Sequence, residues 1–203
     1  MSQASLSRAE THTTPVPASR AAGRDHDRVS YLVEEGYISF EQTTIPVSAI
    51  PTKQYADARR AVDHSRTVNP LHADLKAIAT WYLWDRTAFQ VDYEVRYPRD
   101  GRVADAAIPA ASTYVEVGHI QDFRRIYQLL GYDLQLEGTT ISSVLQRYPA
   151  TDDPREQVCR ILWIPFPATT PNARAWDAEE IAIYSYSRGP VEPLVANRSN
   201  GFW

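Results

Sequence analysis

Cysteine, glycine, lysine and long apolar runs are all scarce in this chain, and each scarcity removes a class of protein. A lone Cys159 leaves no disulfide to form within the chain, and the cytoplasm is the expected location. The eight glycines contain no Walker-type loop and no dinucleotide-binding pattern. No apolar run approaches membrane-spanning length, and the first residues lack the hydrophobic core of a secretion signal, so neither a membrane role nor export is expected. The formal net charge of −4 argues against a domain that holds nucleic acid through its phosphates. Lys53 and Lys76 are the only lysines among 21 basic residues. Codon bias in a GC-rich genome accounts for that most simply. The functional reading is that planar guanidinium groups face carboxylates, phosphates or aromatic rings.

What remains is a β-rich, aromatic chain, long enough at 203 residues for one domain with a real core. Residues 1–28 are rich in Ser, Thr, Ala, Pro and Arg and bury little, which predicts a disordered tail before a single domain over 29–203. His12 and His26 fall in that tail, where no fixed geometry could hold a metal. Residues 37–45 read as a strand and 54–65 as a helix. Asn69-Pro70 is a helix start, with Asn as the cap and Pro in the first turn, and the helix is expected to run to about Tyr82. That break separates His64 from His72, so their spacing supplies no common face and no metal site is expected. The aromatic run 81–86 reads as core or as a lid over the sheet end.

Residues 90–131 carry the architecture. Val91, Tyr93, Val95 and Tyr97 alternate with Gln90, Asp92, Glu94 and Arg96, the period of a strand. Pro98 to Gly101 follow as a turn, 113–117 as a second strand, and 120–130 as a helix ended by Gly131. Further strands are expected at 134–136, 141–148, 157–164 and 181–188, and a polar, proline-bearing tail at 189–203 closes on Phe202-Trp203. The fold class is therefore α+β, with a large, curved, mostly antiparallel sheet closed into a barrel or tunnel and two or three helices outside.

Charged residues recur opposite apolar ones in these strands: Glu41, Asp92, Glu94, Arg96, Glu116, Arg147, Arg160 and Arg188. One solvated sheet face produces that pattern trivially. In a barrel the same residues would line a cavity, where arginines hold an anionic group and a carboxylate moves protons. On that reading Glu94, Glu116 and Glu41 are the candidate catalytic groups, and Arg96, Arg147, Arg160, Tyr93 and Tyr186 the substrate-binding ones. The function expected is a small-molecule enzyme of lyase, cyclase or hydrolase type, acting on an anionic or polar organic substrate. The alternative is a non-catalytic ligand-binding protein with an aromatic cavity. The partners expected are a small-molecule substrate but no nucleic acid and no membrane, with homo-oligomer formation left open and no cofactor indicated. Cys159 sits inside an apolar strand, which suits an inert thiol, and Ser185 and Ser187 lack a nucleophile elbow.

In order and wording, Tyr93-Glu94-Val95-Arg96, Asp100-Gly101, Val115-Glu116-Val117, Leu130-Gly131-Tyr132 and Arg147-Tyr148 resemble the CYTH superfamily, which includes class IV adenylate cyclases and thiamine triphosphatases. The similarity spans about residues 37–188. It implies a tunnel-like barrel, phosphohydrolase or cyclase chemistry, and Mg²⁺ as cofactor. The family's Glu-x-Glu-x-Lys is missing, since Glu41 stands alone in Ser39-Phe40-Glu41-Gln42-Thr43. Glu116 likewise has Tyr114 and Gly118 where an alternating acidic partner would stand.

Arg160 interrupts the most apolar strand and is the strongest single candidate. Arg160→Ala is expected to abolish ligand binding while circular dichroism still reports a folded chain; unchanged binding removes Arg160 from the site.

Overall fold

Asn69-Pro70 starts a helix as its chemistry requires. The Asn69 carboxamide oxygen accepts from the backbone amides of Leu71 and His72, and Pro70 occupies the first turn, where no N–H is needed. The computed structural model describes residues 23–62, 69–98, 101–119, 124–137, 140–147, 158–167 and 174–188. In it this helix is α3, Pro70–Arg86, so the aromatic run is its last turns and not a lid. Every residue from Ala73 to Leu83 is buried, which makes α3 the centre of the domain. The other helices are α1 (Gly23–Glu34), α2 (Thr52–Val62) and α4 (Arg124–Leu129). The expected N-terminal tail lies outside the described residues up to position 22. Beyond it α1 forms where no helix was expected and buries Val29 and Leu32. His64, the Asp152–Arg155 turn and the 189–203 tail also lie outside the described residues.

The strands are β1 (Ile38–Pro46), β2 (Asp92–Arg96), β3 (Val103–Ile108), β4 (Thr113–Val117), β5 (Tyr132–Glu137), β6 (Thr140–Arg147), β7 (Arg160–Ile164) and β8 (Glu180–Arg188). Six form one sheet in the order β1-β8-β7-β4-β3-β2, and β5 and β6 pair separately. Neighbours in the large sheet are antiparallel except β4 and β7, which are parallel. The α+β class and the mostly antiparallel sheet are as expected, but the sheet is open, with β1 and β2 at its edges.

The reason is burial on both faces. Ile45, Val115, Leu162, Ile164, Ile181 and Ile183 pack in one core with α2 and α3. Ile38, Tyr114, Ile161, Trp163, Tyr184 and Tyr186 pack in a second core with α1 and α4. All five residues of β7 are buried. A sheet covered by helices on both faces has no lumen to line.

β3 was not expected because its sequence, Val103-Ala104-Asp105-Ala106-Ala107-Ile108, is alanine-rich and alanine is depleted in strands. The structure supplies the reason for the alanines. Strands two apart in a sheet are separated by roughly 10 Å, yet the rings of Tyr97, just beyond β2, and Tyr114, on β4, stack with centroids 4.8 Å apart. They must lean over β3, and only methyl groups leave room for them.

Asp74 ties the α2–α3 layer together. Its carboxylate is fully buried and accepts the Tyr55 hydroxyl at 2.8 Å and Arg174 through Nε (2.5 Å) and Nη2 (2.7 Å). Tyr55 belongs to α2, while Arg174 precedes the 3-10 turn Ala175–Asp177, so one acid joins three segments. Burial alone would raise the Asp74 pKa. Hydrogen bonds from Arg174 and Tyr55 and the Arg174 charge outweigh it and hold the carboxyl below its ordinary value. A depressed folded pKa means stabilisation that is complete above the unfolded value of about 3.9 and fades as pH falls. Asp74→Ala is therefore expected to lower stability by about 3 kcal/mol at neutral pH. In urea titrations its deficit against the wild type should shrink on acidification below about pH 4; a deficit constant with pH would contradict the pairing.

Candidate functional site

Tyr93 and Val95 are two apart on β2 and should share a face, yet they do not. Val91 and Tyr93 pack in the core with α3, whereas Val95 and Tyr97 pack in the opposite core. The cause lies at Glu94, whose φ of 53° places a non-glycine residue in the left-handed region. The same switch occurs across the ladder, where Ala106 belongs to the α3 side and Ala104 to the other. Pairing holds at Tyr93 with Ala106 and at Val95 with Ala104, and between them stand Glu94 and Asp105. Both carboxylates thereby point at α3. Backbone in this region costs about 1–3 kcal/mol and persists where the surroundings over-determine it. The expected four-residue face of this strand is corrected accordingly.

α3 answers with His72, Lys76 and Thr80, one stripe at i, i+4 and i+8. Lys76 is fully buried, bonds the Glu94 carboxylate and lies 3.8 Å from Asp105 Oδ1. His72 Nε2 lies 3.0 Å from the same Asp105 oxygen, while Asp105 Oδ2 accepts the Val117 amide at 2.7 Å. Thr80 Oγ1 donates to the Lys76 carbonyl and is 3.1 Å from the Tyr93 hydroxyl. Burial raises the Tyr93 pKa, and the Thr80 bond offsets part of that. With Nε2 on the carboxylate, the imidazole keeps Nδ1 without a hydrogen-bond partner among the described residues. A carboxylate behind a half-buried imidazole sets its tautomer and its orientation, which suits it to accept and return a proton.

The site lies at the carboxyl ends of the parallel pair β4 and β7. The Gly118 amide donates to Ile164, extending that pairing by one residue, and the Gly118 carbonyl accepts Trp163 Nε1 at 2.6 Å. Beyond it, Phe166 meets His72 and the exposed His119 edge to face, with ring centroids 6.3 Å and 5.1 Å apart. Gly118 makes that placement possible: its φ is +98°, and a Cβ there would stand 2.8 Å from Phe166 Cζ.

Of the residues expected from sequence, Glu94 and Tyr93 belong to this group. Arg96 is exposed nearby and donates to the Gly101 carbonyl. Glu116 lies on the opposite face of the sheet, where it accepts Tyr97 Oη at 2.7 Å and Arg125 Nη2 at 2.8 Å. Glu41 is exposed on β1, at the far edge. Arg160 is buried at the start of β7, with Nε 2.9 Å from Ser187 Oγ. Tyr186 is buried in the second core, where burial raises its pKa. Arg147 ends β6, and its side chain lies outside the described residues. Glu41, Glu116, Arg160 and Tyr186 therefore share no interior with Glu94 and Tyr93. His72, Lys76, Asp105 and His119 were not among the candidates. One signal was available: Lys76 is one of two lysines in an arginine-rich chain and stands in an apolar helix, four residues from His72.

Among the described residues no group of three His, Cys, Asp or Glu side chains is placed to hold a metal ion, and no helix is long and apolar enough to cross a membrane. No protein family, curated protein or solved structure matches the chain. The CYTH resemblance therefore rests on its own residues: those described fall on β2, β4, the end of β6, the segment from the end of α4 into β5 and Gly101 before β3, while Asp100 and Tyr148 lie outside the described residues.

Gly118→Ala combines left-handed backbone with a collision against Phe166, and is expected to destabilise by at least about 1 kcal/mol. The melting temperature and the His72 and His119 imidazole NMR signals should shift together; a change in stability with neither imidazole disturbed would separate Gly118 from the site.

Proposed function

We propose that this chain is a small-molecule enzyme that works by acid/base chemistry on a polar or anionic organic substrate, at the carboxyl ends of β4 and β7. His72 is the proton-transfer group. Asp105 orients it through Nε2, as a carboxylate does behind a catalytic imidazole. Glu94, 42% exposed and held by buried Lys76, is the second group able to exchange a proton with the substrate. Lys76 places one buried positive charge between the two carboxylates. Phe166 and His119 wall the outer side, and Arg96 is the arginine nearest in sequence to Glu94. The observation that carries the reading is the Asp105–His72 pair, 3.0 Å apart and only partly buried, at the end of a parallel strand pair.

The test is turnover. The purified chain, incubated with a metabolite extract and followed by untargeted mass spectrometry, is expected to deplete one polar or anionic compound. His72→Gln, folded by circular dichroism, should slow that depletion by about 100-fold or more. Asp105→Asn should act in the same direction. Capture of a compound without depletion would mean a binding protein, and depletion indifferent to His72→Gln would place the chemistry elsewhere. The CYTH-type reading, a phosphohydrolase or cyclase, is separated on the same preparation: inorganic triphosphate with Mg²⁺ gives binding heat in calorimetry only under that reading.

A further inference from the structure

Counting protons around His72 shows what kind of atom the group offers to a ligand. A carboxylate only accepts, so the 3.0 Å contact with Asp105 puts the imidazole proton on His72 Nε2. In the neutral ring Nδ1 is then a bare acceptor, and no described residue donates to it. Thr80 has a single hydroxyl proton, which its Oγ1 gives to the Lys76 carbonyl at 2.9 Å. The 3.1 Å contact between Thr80 Oγ1 and Tyr93 Oη must therefore carry the tyrosine proton, leaving Oη with lone pairs only. Glu94 takes Lys76 on Oε1, and its Oε2 has no donor among the described residues. The open polar atoms His72 Nδ1, Tyr93 Oη and Glu94 Oε2 are thus all acceptors.

The charges are arranged the same way. Lys76 lies between Glu94 and Asp105, one positive charge against two negative, and it is fully buried whereas Glu94 is 42% exposed. A ligand therefore meets the negative side of the group and cannot reach the positive one. Arg96, on the same strand, turns to the Gly101 carbonyl and pairs with neither acid among the described residues. Glu94 also stands in left-handed backbone, and strain of that kind collects at ligand clamps.

We infer that the site takes its substrate by a primary ammonium group. Such a group carries three N–H donors and one positive charge. His72 Nδ1, Tyr93 Oη and Glu94 Oε2 supply the acceptors, and the excess carboxylate charge supplies the counter-ion. A carboxylate or phosphate finds no donor at these atoms and is repelled by Glu94, so any anionic group of the substrate lies away from them. A neutral hydroxyl satisfies an acceptor but leaves the charge unanswered. The inference rests on the reading of the His72 group as the reaction site, and narrows its substrate to an amine.

Propylammonium is the probe, followed through the His72 imidazole NMR signals of the full chain. It is expected to shift them saturably. Propanol keeps a donor without the charge, tetramethylammonium the charge without donors, and each should bind about tenfold more weakly or worse. Tyr93→Phe removes one acceptor and should weaken propylammonium about threefold or more, with circular dichroism unchanged. Glu94→Gln should weaken it about tenfold or more. That variant also takes a counter-charge from buried Lys76, so the probe comparison on the unaltered chain decides should it fail to fold. Propionate binding more tightly than propylammonium, or tetramethylammonium binding equally well, overturns the inference. In the extract assay the depleted compound should react with an amine-selective label. Depletion of a compound with no basic nitrogen overturns the ammonium inference and leaves the acid/base reading standing. Propylammonium bound as expected, with nothing depleted, does the reverse.

Discussion

Asp74 and Lys76 leave α3 about 200° apart around the helix, each fully out of water and each bound to an opposite charge. A buried ion that loses its partner is among the costliest defects a fold can carry. The two residues therefore dictate what may stand on either side of α3. On one side Asp74 requires Arg174 and Tyr55, which docks α2 and the Ala175–Asp177 turn against the helix. On the other Lys76 requires carboxylates from the sheet, and the sheet supplies Glu94 and Asp105.

That second demand explains the irregularity in β2 and β3. In regular strands Glu94 and Asp105 would face away from α3, because Tyr93 and Ala106 already face it. The left-handed residue at Glu94 and the matching switch between Ala104 and Ala106 bring both acids round to Lys76 and His72. Backbone strain, burial of a lysine and orientation of an imidazole are thus one arrangement.

Elements with strong local signals were legible in the chain. The Asn69-Pro70 start, the alternating strands β1, β7 and β8 and the helix ended by Gly131 stand close to where periodicity and capping chemistry put them. β3 was not legible, because alanines in a strand make sense only when Tyr97 and Tyr114 are seen to meet above them. Closure into a barrel was the wrong extrapolation: alternating charge suggested one wet and one dry face, whereas helices cover both. Of the candidate site, only Glu94 and Tyr93 were legible. Their partners come from α3 and from the strand that local propensity hides.

Residue order alone determined the types of the elements with strong local signals, the capping of α3, the absence of any internal disulfide and the shortage of lysine that makes Lys76 conspicuous. Those are local or compositional properties, set by one residue and its near neighbours along the chain. Only the tertiary structure decided which face each side chain of β2 and β3 takes, and that Asp105 meets His72 thirty-odd residues away. A side chain's direction within a regular strand follows from its parity. Reversing that parity takes a strained residue, and such strain is held in place only by contacts the linear sequence does not contain.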